Sequence, residues 1–404
     1  MPTLFLIVFI DLVGFGLVIP LLPFYAVRFS ASPQEVTALV AVYSLLQFLT
    51  APLWGRLSDQ VGRRPVLLLS LIASALAYLW LGRATALWML FAARGFAGAC
   101  AGNIATAQAY IADVTKPEER ARGMGLIGAA FGLGFMIGPA IGGLLAGTDP
   151  ITADLETPAW VAAGLSLLAF LGVALLLPES LPADRRDGRA SRGRVGALLS
   201  ALRRPILSRL ILIFFLAILA VAGMQSVFAI WAMPQLGWGP RQVGYVFAYV
   251  GLISAALQGG LIGRLTRHFG EERLLVCGLA LLGAGLLFLP FARDVPVLVV
   301  VLTGLALGGG LMQPTLSSLI SQQAGGEERG EVMGVSQSTA SLSRVLGPFA
   351  AGLCFAAFGR NSPYFAGAAL TGIALLLALK LARGIGPRPS AQAEPLGRER
   401  RPVR

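Results

Sequence analysis

The sequence predicts an all-α integral membrane protein of twelve spanning helices, arranged as two six-helix bundles related by a pseudo-twofold axis. Three observations carry this. Of 404 residues, 56% are hydrophobic and 13% charged, with a mean hydropathy of +0.75, which leaves too little polar surface to cover a water-soluble globule. Apolar runs near the ~20 residues that a spanning helix needs recur along the whole chain. Finally, the loop Gly55-Arg56-Leu57-Ser58-Asp59-Gln60-Val61-Gly62-Arg63-Arg64-Pro65 has a degenerate echo, Gly263-Arg264-Leu265-Thr266-Arg267-His268-Phe269-Gly270, 208 residues later. Doubling of one membrane-embedded half produces such a repeat.

The apolar runs fall at about 3–25, 36–54, 66–82, 86–111, 123–146, 158–177, 208–232, 242–263, 273–291, 296–320, 332–357 and 364–383. Helices are required because a barrel alternates polar and apolar residues over segments of roughly ten, whereas Trp160 to Leu177 is one charge-free run. Two further echoes lie 209 residues apart: Glu119-Arg120 with Met124-Gly125 answers Glu328-Arg329 with Met333-Gly334, and Gly138-Pro139 answers Gly347-Pro348. The 50 glycines and 24 prolines suit closely packed, bendable membrane helices.

The first run lacks a basic leader and carries Asp11, so it is expected to remain as a span and not to be cleaved as a signal peptide. Residues 1–180 form the expected N-terminal bundle. The stretch 181–207 is a basic linker with a short surface helix expected around Val195–Leu202, and 208–383 form the C-terminal bundle. The tail 384–404, rich in proline and arginine, is expected to be disordered. With the N-terminus inside, twenty-two loop and tail Lys or Arg residues lie in the cytoplasm and five outside, so both termini are expected to be cytoplasmic, in the inner membrane of the cell. The net charge of +12 reads as this topology signal and as attraction to anionic lipid headgroups. Nucleic-acid binding is disfavoured, because the basic residues are divided among loops without interleaved aromatics.

Embedded polar residues are the functional candidates. Asp11 lies about eight residues into the first span, where an unpaired carboxylate is costly, and is a proton-carrier candidate. Arg94 is embedded in the fourth span at a different depth, so a direct Asp11–Arg94 pair is not expected. Asp59, with Arg63 four residues on, and Asp113 at the end of the fourth span fall on one side and suggest a salt-bridge cluster. The positive N-terminal dipole of the eleventh span could also attract Asp59 across the two halves. Gln47, Asn103, Gln225, Gln258, Gln313 and Arg344 punctuate other spans and are candidates for the substrate path, beside Gln108 and Gln337. In the fifth span Gly134, Gly138 and Gly142 strip side chains from one face, and Pro139 beside Gly143 permits a bend. Cys100, Cys277 and Cys354 stand in separate spans without CxxC spacing and the single histidine, His268, is in a loop, so neither a metal, a cofactor nor an enzyme active site is indicated.

Gly55–Arg64 resembles the loop between the second and third helices of the major facilitator superfamily. Gly134-Phe135-Met136-Ile137-Gly138-Pro139-Ala140-Ile141-Gly142-Gly143 is similar to the fifth-helix signature of that superfamily's drug/proton antiporters. Asp11 through Pro20-Leu21-Leu22-Pro23, Leu87-Trp88-Met89-Leu90 to Arg94-Gly95, and Ala109-Tyr110-Ile111-Ala112-Asp113 resemble the tetracycline-efflux branch. The resemblance implies the major facilitator fold and export of small hydrophobic or amphipathic compounds by proton antiport through alternating access. It further implies a gate of Asp59, Arg63 and Asp113, with Asp11 and Arg94 in proton coupling. Ala77 and Leu282 stand where tetracycline exporters place acidic residues, and Ser254 where they often place a histidine, so proton handling is expected to fall on the first half. The alternative is uptake or release of a metabolite such as a sugar or amino acid. The expected partners are a small-molecule substrate, protons and membrane lipid, with the chain acting as a monomer.

Overall fold

The computed structural model describes residues 2–115, 120–150, 152–181, 203–323 and 329–384. The surface helix expected near Val195–Leu202 and the tail beyond 384 lie outside these residues.

In chain order the helices are α1 (Pro2–Val18), α2 (Leu22–Arg28), α3 (Pro33–Val61), α4 (Arg63–Gly82), α5 (Leu87–Ala99), α6 (Asn103–Val114), α7 (Arg120–Ala146) and α8 (Glu156–Leu176). The second half holds α9 (Pro205–Leu236), α10 (Pro240–Ala256), α11 (Ile262–Phe269), α12 (Glu271–Phe288), α13 (Val295–Gln322), α14 (Arg329–Phe358) and α15 (Ser362–Gly384). A 3₁₀ turn joins α1 to α2, and a π-helical stretch, Leu257–Leu261, joins α10 to α11, so each pair makes one crossing.

Local chemistry sets several boundaries. The Ser32 hydroxyl accepts from the Glu35 N–H while the Glu35 carboxylate accepts from the Ser32 N–H, a capping box that starts α3 with Pro33 at its first position. The Asp294 carboxylate caps α13 by accepting from the Val297 N–H. The two copies of the repeated loop turn at Gly62 (φ 111°) and Gly270 (φ 78°), which are 208 residues apart. Only glycine takes this conformation without strain.

Among the described residues, eleven segments are long and apolar enough to cross a membrane. The run at 86–111, expected to be one helix, is instead broken at Cys100-Ala101-Gly102 into α5 and α6, of 13 and 12 residues. Neighbouring side chains satisfy the backbone groups that the break frees. The Ser70 hydroxyl donates to the Cys100 carbonyl (2.6 Å) and accepts from the Gly102 and Asn103 N–H groups (3.1 Å each), and the Trp54 indole donates to the Ala99 carbonyl (2.6 Å). Irregular backbone at membrane depth is tolerated where protein re-satisfies it in this way.

The packing pattern repeats. In the first half α1 packs on α7 and α8, and α4 on α8; in the second half α9 packs on α14 and α15, and α12 on α15. Between the halves, α7 meets α10 and α14 meets α3. Leu53, Trp88, Leu175, Val300 and Phe358 remain 62–80% exposed on outer faces, an apolar belt that only lipid covers favourably.

Candidate functional site

The repeated loop of the first half ends in an ion-paired cluster. Arg63, the first residue of α4, has a side chain only 9% exposed, and its guanidinium reaches Asp59 (2.6 Å), the Ser58 hydroxyl (2.6 Å) and, through Nε, Asp113 at the end of α6 (3.0 Å). The cluster thus joins α3, α4 and α6. Asp59 is half exposed and Asp113 22% exposed, so solvent screens the first pair more than the second.

Glu179 is a member of this network that sequence reasoning missed. Gly62 offers no side chain to cap α4, and the Glu179 carboxylate, arriving from the end of α8, accepts from the backbone N–H groups of Arg63 (2.8 Å) and Arg64 (3.1 Å). The Ser180 hydroxyl donates to Asp113 (3.1 Å), and the Tyr110 hydroxyl donates to the Pro178 carbonyl (3.0 Å). Residues 178–181, the polar start of the stretch between the halves, therefore dock on the cluster. The available signal was an acid that follows a span and can neutralise the N-terminus of a neighbouring helix.

Asp11 lies inside the first bundle at 7% exposure. Its carboxylate accepts from the Asn103 amide, the first residue of α6, and from the Ser166 hydroxyl of α8 at 3.5 Å. Arg94 of α5 is 3% exposed, with its guanidinium 4.4 Å from the Tyr43 ring centroid and 5.9 Å from that of Phe15. Its Nε has no hydrogen-bond partner among the described residues. Asp11 and Arg94 form no ion pair. The arrangement holds one embedded carboxylate on neutral donors and one embedded cation on aromatic faces.

The glycines of α7 divide between two neighbours. Gly134, Gly138 and Gly142 lie against α1, so closely that a Cβ on Gly138 would stand 2.6 Å from the Val13 carbonyl oxygen. The Pro139 carbonyl and Gly143 face α10, where a Cβ on Gly143 would stand 2.9 Å from the Pro240 carbonyl oxygen. Down this second face α7 and α10 touch at Gly143–Gly244, Met136–Gly251 and Gly132–Ala255, and then part: Gly128 and Gly125 on one side, and Gly259 on the other, look onto open space. At the Gly143 end, Gly352 of α14 also lies against Thr37 and Gln34 of α3. Along this seam the halves touch at the Gly143 end and stand apart at Gly125, Gly128 and Gly259, toward the end that carries Asp59.

Of the remaining path candidates, Asn103 is engaged by Asp11. Gln47, Gln225, Gln258, Gln313 and Arg344 make no hydrogen bond or ion pair among the described residues. The same residues hold no metal-ligating cluster, and the cysteines are free.

Two repeated helical bundles that touch at one end of their seam and stand apart toward the other define a multi-pass membrane transporter. A family model of the Major Facilitator Superfamily matches residues 4–268 and 227–404, and the chain belongs to that superfamily. It is 33% identical over 356 residues to the class C tetracycline resistance protein of Escherichia coli, covering 86% of this chain and 87% of that one. It is 28% identical over 362 residues to multidrug resistance protein 2 of Bacillus subtilis, covering 87% and 89%. Among solved structures, the human organic anion transporter MFSD10 superposes with a TM-score of 0.71 at 27% identity, covering 93% of this chain and 98% of that one.

Proposed function

We propose that the protein is a proton-coupled exporter of small hydrophobic or amphipathic compounds, tetracycline-like drugs among them, working by alternating access as a single chain in the inner membrane. The observation that carries this reading is the seam between the halves, touching at the Gly143 end and parted toward the end where Asp59, Arg63 and Asp113 are paired. With the arginine-rich loops inside, the open end is cytoplasmic, both termini are cytoplasmic, and the crevice accepts substrate from the cell interior. The similarity to tetracycline and multidrug resistance proteins supports the direction of transport.

Residues 1–180 and 208–383 then act as the two moving bundles, joined by the basic stretch 181–207. The Arg63 cluster is the gate: it braces α3, α4 and α6 in the present state, and closure of this end brings the repeated loops together. Asp11 is the proton carrier. Its partners are uncharged, so a proton neutralises it without breaking an ion pair, and a neutral carboxyl is the cheaper form in an apolar bundle. Arg94, embedded in the same bundle on the faces of Tyr43 and Phe15, is the second residue of the proton coupling. The α7 glycines let the seal close backbone to backbone.

The test is proton flux in energised inside-out vesicles. Addition of a transported drug is expected to collapse the acid-inside pH gradient, and Asp11→Asn is expected to abolish that response at unchanged protein level. A response undiminished in Asp11→Asn removes it as the carrier. Substrate accumulation by right-side-out vesicles reverses the direction and favours metabolite uptake.

A further inference from the structure

Arg344 stands midway along α14, and its neighbours fix where it points. The Ser343 hydroxyl donates to the Phe215 carbonyl of α9 at 3.1 Å, Gly347 lies against Leu219, Ala222 and Gly223 of α9, and Gly352 lies against Thr37 of α3. At ~3.6 residues per turn, Arg344 falls between the α9-facing and α3-facing sides, toward the crevice between the halves. The opposite stripe, Leu342, Leu346, Phe349 and Leu353, is 39–63% exposed and faces outward.

Among the described residues no group neutralises that charge. Arg344 has no ion pair or hydrogen bond among the described residues. The helices packed on α14 are α3, α9, α13 and α15. Three of them, α9, α13 and α15, contain no Asp or Glu. In α3, Glu35 is spent in the capping box of the first turn and Asp59 on Arg63 near the last. Glu331 of α14 itself is thirteen residues away, about 20 Å along the axis. Asp11, the acid midway along a span of the first half, belongs to the other bundle and is held by Asn103 and Ser166. A guanidinium in an apolar layer is costly unless an anion meets it, and its planar fork of N–H groups suits a delocalised oxyanion.

We infer that Arg344 binds an oxyanionic group of the transported compound, a carboxylate, sulfonate or enolate, and that the preferred substrates are amphipathic organic anions or zwitterions. This rests on the transport reading above. It also gives the exchange an energetic sense. A monoanion leaving as one proton enters moves two charges in the same direction, so the inside-negative potential and the pH gradient both drive it, whereas a cation exchanged for one proton gains nothing from voltage.

The full chain in proteoliposomes with an acidic lumen is tested with matched probes on naphthalene, biphenyl and anthracene cores: the sulfonate, the sulfonamide and the trimethylammonium of each. Uptake is measured with and without a valinomycin-set potential, with empty liposomes as control. The expected result is that sulfonates are taken up fastest and respond to voltage. Arg344→Gln should lower the sulfonate-to-sulfonamide flux ratio at least tenfold, and Arg344→Lys should restore most of it. If sulfonamides or trimethylammonium compounds enter and sulfonates do not, or if Arg344→Gln lowers all three alike, the anion site is overturned while proton-coupled export stands. If none of the nine compounds enters in exchange for protons, the export reading fails and the anion site fails with it.

Discussion

Arg63 and Glu271 stand at equivalent places in the two halves, 208 residues apart, each the first residue of a helix that follows a positive-φ glycine, and they carry opposite charges. Arg63 gathers Asp59 and Asp113; Glu271 accepts from the Ser318 hydroxyl (2.6 Å) and the Gln322 amide (2.7 Å) of α13. The second network sits at the repeat-equivalent place with an acid where the first has a base. It lacks a counter-ion of the first kind because its acid is met by neutral donors.

That difference makes the two sites unequal under mutation. Arg63→Gln strands two carboxylates around a mostly buried position and is expected to lower stability by about 1–3 kcal/mol and flux more than tenfold. Glu271→Gln can keep amide-type hydrogen bonds to the same partners and is expected to cost less than about 1 kcal/mol. Thermal unfolding of purified protein and vesicle flux, measured on both variants, check the ranking.

Asp11→Asn preserves the shape of the side chain beside Asn103 and Ser166 but cannot exchange a proton. The expectation is loss of uphill transport with substrate binding and downhill exchange retained. Loss of binding as well would make Asp11 a packing residue.

Ser70→Ala removes the one hydroxyl that serves the Cys100 carbonyl and the Gly102 and Asn103 N–H groups. The Gly102 N–H keeps the Cys100 carbonyl at 2.8 Å, but the Asn103 N–H is left unpaired. An unpaired buried backbone group costs about 1–3 kcal/mol, so this substitution is expected to destabilise the protein by at least about 1 kcal/mol, as read by unfolding in detergent. A neutral result would mean that Trp54 alone holds the break.

Gly143→Leu places a side chain where the Pro240 carbonyl, Arg241 and Gly244 already stand. The seal between α7 and α10 is then expected not to close. Spin-label distances across that end should lengthen and flux should fall at least tenfold, while a Leu at Gly125, which faces open space, should leave the sealed end unchanged.

Much of this architecture was legible because lipid imposes simple rules. Run length gave the spans, and the doubled loop gave the two halves. The depth of Asp11 and Arg94 along their helices already separated the two. The break in the fourth segment was not legible, because Cys100-Ala101-Gly102 is as apolar as a helix interior, and the groups that stabilise it, Ser70 and Trp54, lie on other spans. Asp59, Arg63 and Asp113 could be grouped by membrane level alone. Glu179 could not, since it reads as ordinary polar linker and gains its partners only when α8 folds back beside α4. The unpaired state of Arg344 is likewise a property of everything around it, which no local motif records.

The broken fourth segment has a mechanical consequence. Its second piece, α6, is a rigid rod about 15 Å long between Asn103 and Asp113, gripped by Asp11 at one end and by Arg63 at the other. The break at Cys100–Gly102 separates this rod from α5, which carries Arg94, and Ser70 holds the rod's first N–H. The carboxylate inside the first bundle and the ion pairs at its end are thus two ends of one short helix, much as a latch bar connects a keyhole to a bolt on the far side of a door.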